Sequence, residues 1–393
     1  MGEIETRAHT CSGYDSSKEL FEAVASRERF RSDRFMEIAM ELSTEMSDRA
    51  AARCLNRVRH EEVGISPQTY RNVIEREGVR IAAAVEKICD ETLLGNGFDI
   101  RGEIGEDTEF APEPVGHMEV EAITEAMERL NIKQSNAGDY ETREGSVAIS
   151  VDDVCVGRQT ERRPRGEAEQ PKRVNNSVVH VENGAGKYRL NSADVGGALR
   201  ALLGFLLCGG LLGKQLVFFT DGAREIHGEI ARMFAFANWK IVLDWWHLEK
   251  KCKEQLSMAL KGKVIRNEFL GALLPCLWFG NVGGAVELLA NIDPEKVRNP
   301  EHIDKLVEYF GRVGGYIPNY ALRKQLGLRN SSNLGEKAND VIVSSRQKHN
   351  GMSWSDDGSH AFASVAALLS NGELLHWLHH RSLSFRLALP DAA

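Results

Sequence analysis

Between residues 146 and 247 the chain alternates in an order that few folds can accommodate. SVAISVDDVCVGR, from 146, is a β-branched run with the period of a strand, and VNNSVVHVENGAGKYRL reads as a second strand turning at Asn183 to Gly186 into a third. An apolar helix covers about 193 to 212 and QLVFFTDG is a buried strand ending in Asp221. A helix follows at 222 to 236, and WKIVLDWWH is another strand ending in Asp244.

Three strands, helix, strand, helix, strand is the order of the ribonuclease H-like fold. The expectation is therefore an α/β catalytic core, a mixed sheet with helices on both faces, built from 146–247 and 331–365. The alternation stops at His247. The stretches HLEKKCKEQLSMALKG, NEFLGALLPCLWFG, GGAVELLANI and HIDKLVEYFGRVGGY read as helices, which predicts an all-α insertion over 248–330. SSNLGEKANDVIVSSRQK is then a helix carrying Glu336, and 366–393 reads as a C-terminal tail.

Residues 1–95 read as a helical DNA-binding domain. Behind a Ser47 or Asp48 cap, Ala51, Cys54, Leu55 and Val58 fall at helical spacing, and a turn with Gly64 follows. Ser66 caps a second helix with Pro67 in its first turn. Tyr70, Val73 and Ile74 form its inner face, while Gln68, Thr69, Arg71 and Asn72 point outward. This is a helix-turn-helix pattern at about 47–78, with Gln68, Arg71 and Asn72 placed as base or phosphate contacts; plain helical packing is the competing reading. Residues 79–94 read as a third amphipathic helix. From 96 to 146 acidic residues outnumber basic ones 13 to 4 among Gly and Pro, so 96–145 reads as an acidic linker with one short helix near 118–130.

That linker concentrates the negative charge, so a net charge of -8 over 393 residues does not exclude a nucleic-acid partner. A chain of this length predicts two or three domains. Seven cysteines without a C-x-x-C pair encode neither a disulfide framework nor a zinc knuckle and suit a reducing compartment. The N-terminus lacks the regions of a signal peptide, and ALLGFLLCGGLLG is too short to span a bilayer. The expected location is cytoplasmic and nucleoid-associated, with no membrane partner. Gly2 and Thr6 match a bare myristoylation pattern, but Glu3 follows the acceptor and two fixed residues recur by chance.

Asp152 lies in the first strand, Asp221 ends the fourth, and Glu336 rides a helix able to pack beside them. Three such carboxylates would hold two Mg²⁺ ions, with Mn²⁺ as a substitute, one activating the attacking water or 3′-hydroxyl and the other stabilising the leaving oxygen of a phosphodiester. Asp at a strand end also caps the next helix, the ordinary reading of each acid alone. Asp152 and Asp153 compete for the first position, since successive strand residues face opposite sides; Asp152 is preferred. Asp244 and His247 stand three apart just past a buried strand, where His247 would orient a phosphate or support the site. Of Trp245 and Trp246, one is expected in the core and the other stacked on a base. Basic residues follow each acid: Arg158, Arg162, Arg163, Arg165, Lys172 and Arg173; Lys250, Lys251, Lys253, Lys261, Lys263 and Arg266; Arg346 and Lys348. They read as phosphate contacts.

At SVDDVCVGRQ, FFTDGAREI, LDWWHLEKKC and NSSNLGEKANDVIVSSRQKHNGMSWSDDGS the chain resembles prokaryotic insertion-sequence transposases of the DDE class, closest to the ISLre-type group with the ISH-type nearby. Its D-x-x-H element resembles the Mutator-like superfamily. The likeness covers about 146–360, with Val154 and Cys155 standing where relatives often carry polar residues. It implies Asp152, Asp221 and Glu336 as the catalytic and metal-binding trio, and Asp244, His247 and Trp245 as accessory residues. It further implies Mg²⁺-dependent cleavage and strand transfer by a homo-oligomer on terminal inverted repeats and target DNA. The alternatives are a decayed or co-opted copy that binds DNA without cutting and another ribonuclease H-like nuclease such as a junction resolvase, which the long insertion and separate N-terminal region disfavour.

Overall fold

The computed structural model describes residues 32–58, 64–105, 108, 110, 116–132, 140–159, 172–184, 186–348 and 352–387. Among them, helices α1 (Asp33–Glu45), α2 (Asp48–Val58), α3 (Pro67–Gly95) and α4 (Val120–Leu130) precede strands β1 (Ser146–Gly157), β2 (Arg173–Asn183) and β3 (Gly186–Ser192). Helix α5 (Val195–Cys208), β4 (Gln215–Thr220), α6 (Arg224–Met233) and β5 (Trp239–Leu243) complete the alternation. Then come α7 (Trp245–Ala259), α8 (Lys263–Trp278), α9 (Val282–Ala290), α10 (Glu301–Val313) and α11 (Tyr320–Gln325). Helix α12 (Asn333–Asn339), a π-helical turn (Asp340–Ser344), a short turn (Ser345–Gln347), α13 (Asp356–Ser370) and α14 (Leu374–His380) finish the chain. None of the described helices is long and apolar enough to cross a membrane.

The sheet runs β3-β2-β1-β4-β5: β1, β2 and β3 pair antiparallel, and β4 and β5 join parallel to β1. The expected order of strands and helices is thus present. Because strand side chains alternate, each face of the sheet feeds a different core. Val147, Ile149, Val151, Leu216, Phe218 and Ile241 join the core containing α5, α6 and α3. Ala148, Val217, Phe219 and Val242 join the core of the helices from α7 to α11. The inserted helices therefore build their hydrophobic centre directly upon the sheet.

The N-terminal helices are not set apart from the sheet. Tyr70, Ile74, Ile81, Cys89 and Leu93 belong to the same apolar cluster as β1, and the Tyr70 hydroxyl donates to the Ala39 carbonyl at 2.6 Å. The second and third helices expected here are one 29-residue helix, α3. Gly78 lies inside it, at a crossing with α13 so close that a Cβ there would sit 2.1 Å from the Ala361 carbonyl oxygen. Helix packing, rather than a helix end, is what this glycine serves.

Two further boundaries shift. The tail expected from 366 begins inside α13, where Val365, Ala366 and Leu368 are buried. Beyond it Trp377 donates to Glu77 at 2.7 Å and Glu373 accepts from Tyr188 at 2.7 Å, which binds this segment into the main core. The linker segment holds the expected short helix as α4, but it is docked rather than loose. Ile123, Ala126 and Tyr140 pack with Leu322 and Leu328, and buried Glu141 receives Arg323 through two hydrogen bonds, at 2.7 and 3.2 Å.

Gly78→Ala tests the α3–α13 crossing. Alanine is the better helix former by about 1 kcal/mol, so stabilisation is expected if the glycine were incidental. The contact with Ala361 instead predicts net destabilisation of about 1–3 kcal/mol by urea denaturation.

Candidate active site

Strand β1 outruns β4. Their parallel register ends at Ser150 opposite Phe219, and carried on by two residues it sets Asp152 beside Asp221, the first residue past β4. After β1 the chain continues at β2 and after β4 at β5, so from these two neighbours the strand order runs toward opposite edges of the sheet.

Asp152 and Asp153 diverge as strand alternation requires. Asp153 is exposed and accepts from Ser177, its neighbour on β2. Asp152 faces α12, where the Asn339 side-chain amide donates to its Oδ2 and the Asp153 backbone N–H donates to Oδ1 at 2.9 Å. Helix α12 sits that close because Gly335 lies against Ser150: a Cβ would come within 2.5 Å of the serine Cβ. Burial, reinforced by the negative charge of Asp221, pushes the Asp152 carboxyl up to about 6. Two carboxylates near one another disfavour each other's ionisation, and a cation between them relieves this.

Asp221 is exposed, and its Oδ1 accepts from the Ala223 N–H at 2.9 Å. The turn is fixed from behind. Gly222 has φ +90°, its carbonyl accepts from Arg312 of α10 at 2.7 Å, and the place of a Cβ is hemmed in by Leu243 and Tyr309.

Asp244 is buried at 1% exposure and caps α7. Its Oδ1 accepts from the His247 N–H at 2.9 Å and lies 3.2 Å from His247 Nδ1. Its Oδ2 accepts from the Ser332 N–H and, at 2.9 Å, from the Ser332 hydroxyl. A proton on Nδ1 directed at Asp244 leaves His247 Nε2 facing Glu336 Oε1, 4.0 Å away. Burial pushes the imidazole down, but the hydrogen bond to Asp244 and the charges of Asp244, Asp221 and Asp152 outweigh it and leave its pKa raised. For Asp244 burial acts upward, and the hydrogen bonds from His247 and Ser332 bring the net below the ordinary carboxylate value.

The five expected polar residues thus gather at one end of the sheet, but not as a closed ligand set. Among the described residues no three His, Cys, Asp or Glu side chains are close enough to hold one metal ion. Asp152 and Asp221 form a pair, and Glu336 approaches His247.

The tryptophans separate. Trp245, named as accessory, packs edge-on against Trp278 and Tyr320 at 4.7 and 5.1 Å between ring centroids, inside the helical core. Trp246 is 46% exposed, with the Lys250 ammonium 4.9 Å from its ring centre.

The basic residues sort by partner. Arg346, expected on a phosphate, is buried, donating to Asp48 at 2.6 Å and to the Ser43 carbonyl at 2.9 Å. Arg71, expected outward, turns back to Asp48 at 2.7 Å. Arg158 is held by Asp356 through both terminal nitrogens. Lys251 is half-buried over Tyr309, Lys253 pairs with Glu249, Lys261 donates to the Glu295 carbonyl, and Arg266 bonds Ser257 and Asn267. Lys172, Arg173, Lys250, Lys263 and Lys348 are exposed, as are Gln68 and Asn72, which bond each other at 2.8 Å. Arg162, Arg163 and Arg165 lie outside the described residues.

Asn339 and Ser332 were not singled out from the sequence. Asn339 stands three residues after Glu336, hence on the same helix face, and that spacing was the available signal.

No protein-family model matches the chain, nor does any curated protein sequence. Among solved structures, the Drosophila P element transposase strand transfer complex is similar over 94% of this chain and 88% of that one, at 10% identity and a TM-score of 0.28. So loose a superposition carries no argument about fold or chemistry.

Asp244→Ala is expected to cost about 3–5 kcal/mol, because it strands a half-buried imidazole and the buried Ser332 donors. The Asp244 contribution is full above its ordinary value of 3.8 and is lost as pH falls through the lower folded value. That of His247 is full below its ordinary 6.5 and is lost as pH rises through the higher folded value. Urea denaturation of parent and variant across pH should therefore show the largest difference between those two limits, narrowing on both sides.

Proposed function

We propose that this protein is a metal-dependent DNA strand-transfer enzyme, a transposase with a ribonuclease H-like core. The observation that carries the reading is the pairing of Asp152 with Asp221 where β1 outruns β4, on the face against which α12 brings Glu336. Hard carboxylate oxygens sharing one space suit a divalent cation of the Mg²⁺ or Mn²⁺ type. Asp152 and Asp221 would hold it, with Glu336 as the third carboxylate, and its chemistry would be activation of a hydroxyl and stabilisation of a leaving phosphodiester oxygen.

The chain's own residues supply the surroundings. Asn339 orients Asp152, and Asp244 fixes the His247 ring with its second nitrogen toward the site. Trp246, exposed beside His247 with Lys250 over its ring, offers a flat face for an unstacked base and a cation for the phosphate beside it. Lys348, one segment beyond Glu336, Lys172, just before β2, and Arg173, at its start, are further cations for the backbone. Binding to terminal inverted repeats as a homo-oligomer belongs to this same reading.

A second reading, a DNA-binding protein that does not cut, is favoured by one specific feature. Glu336 lies by His247 instead of closing a three-carboxylate set.

Cleavage of a labelled duplex carrying the DNA ends that flank the reading frame, with Mg²⁺ or Mn²⁺, separates the two. The enzyme reading expects cutting by the parent and loss of about 10²-fold or more in each of Asp152→Ala, Asp221→Ala and Glu336→Ala, with duplex binding retained. A folded parent that binds those ends and leaves them intact supports the second reading.

A further inference from the structure

Several of the described arginines are held by carboxylates within the fold. Arg71 and Arg346 share Asp48, and Arg158, Arg200, Arg323 and Arg329 pair with Asp356, Asp90, Glu141 and Glu182. Helix α2 carries a row that is not so held. Arg49, Arg53 and Arg57 are exposed and recur every fourth residue, which places them in one row. Among the described residues none of the three has an ion-pair partner. Like charges at this spacing repel, and the opposite side of α2 buries Ala51, Ala52 and Leu55, so the row cannot turn away from solvent.

The row borders a built groove. Arg49, Arg53 and Arg57, with Ala52, Asn56, Ile65 and Pro67, line a shallow depression of about 460 Å³ between α2 and the start of α3. Asn56 fixes its shape. Its side chain donates to the Ile65 carbonyl at 3.0 Å and accepts from the Ile65 N–H at 2.8 Å, a two-point clamp that locks the entry of α3 onto α2. The first turn of α3 therefore holds a set position beside the arginine row, with Gln68 and Asn72 exposed on it.

We propose that Arg49, Arg53 and Arg57 form a face that grips the phosphates of one strand of duplex DNA, seating the first turn of α3 at the groove beside it. This rests on the DNA-strand-transfer reading above and moves the main electrostatic contact from α3 to α2. From Arg49 to Arg57 the row runs about 12 Å along the helix, a length over which one strand presents about three phosphates at roughly 3.4 Å each along the duplex axis. Guanidinium groups bind phosphate through paired N–H donors, and a rigid straight row presents several in register. Gln68 and Asn72 carry amide groups that both donate and accept, the chemistry of base-edge contacts.

The test is fluorescence anisotropy of the full chain with a short labelled duplex of arbitrary sequence across a salt series. The parent is compared with Arg49→Gln/Arg53→Gln/Arg57→Gln and with the matching triple Lys variant. All three changes lie on an exposed helix face, and thermal unfolding checks that each variant is folded. The proposal expects the Gln variant to bind at least about tenfold more weakly at low salt, with the slope of log affinity against log salt reduced by about three. The Lys variant should keep a slope near the parent's. A Gln variant with the parent's affinity and slope overturns the proposal while leaving the DNA reading standing, because the parent still binds. A parent that binds no duplex at any salt overturns both.

Discussion

The candidate site depends on one buried carboxylate. Asp244 follows β5, caps α7 and receives both polar hydrogens of Ser332, 88 residues later in sequence. It therefore closes the whole helical excursion onto the sheet. An acid at 1% exposure is tolerated because every face of it meets a donor. Neighbouring bonds serve the same closure: Tyr320 donates to the Leu243 carbonyl at 2.8 Å, and the Trp245 N–H donates to Asn330 at 3.2 Å. Without them α12 has no fixed starting point, and neither Glu336 nor Asn339 has a fixed relation to β1. The orientation of His247 is set by the same oxygen that caps its helix, so the geometry of the site follows from a folding constraint.

What could be read in advance was what depends on local period. The order of strands and helices from 146 to 247, the helical run after it, the short helix near 118–130 and the Ser66 cap all rest on neighbours in sequence, and each is present. What could not be read depends on distant partners. Nothing near Arg346 says that it is buried, because its counter-charge, Asp48, lies 298 residues away. Gly78 looks like a helix breaker until Ala361 is seen against it. Trp245 and Trp246 are equivalent on paper. Adjacent helical residues point about 100° apart, and only the docking of α7 decides which of them meets Trp278. The π-helical turn at 340–344 likewise has no signature in NDVIVSS; the widening occurs where the segment leaves β1 with Ile342 and Val343 buried.

Charge is sorted by function of place as much as by sign. A chain with net charge -8 uses several of its described arginines to hold its own parts together. Asp48 joins α2, α3 and the segment after Glu336 through two guanidiniums, while Glu141 ties the acidic segment to α11 through Arg323. Such pairs cost desolvation and return little net stability. Their effect is to specify which helix lies against which. Among the described residues the arginines on α2 have no ion-pair partner, whereas Arg71, Arg158, Arg200, Arg323, Arg329 and Arg346 each meet a carboxylate.

The neighbouring carboxylates of β1 show how one strand can serve two purposes. Alternation forces Asp152 and Asp153 to opposite faces, and each finds a different fate. Asp153 takes a hydroxyl from the adjacent strand, a local pairing that needs only β2. Asp152 is pressed beneath α12, where burial and Asp221 together raise its pKa, and it has one side-chain donor there, Asn339. The energetic asymmetry matters. A solvated acid hydrogen-bonded to its neighbouring strand costs little to keep, whereas a buried acid beside another acid is held against its own repulsion. The fold sustains that arrangement by driving Gly335 against Ser150, so the helix that shields Asp152 is also the helix that presents Glu336. A side chain at position 335 would lift both from the sheet at once, so the closeness of α12 to β1 is the second condition on the site, beside the closure at Asp244.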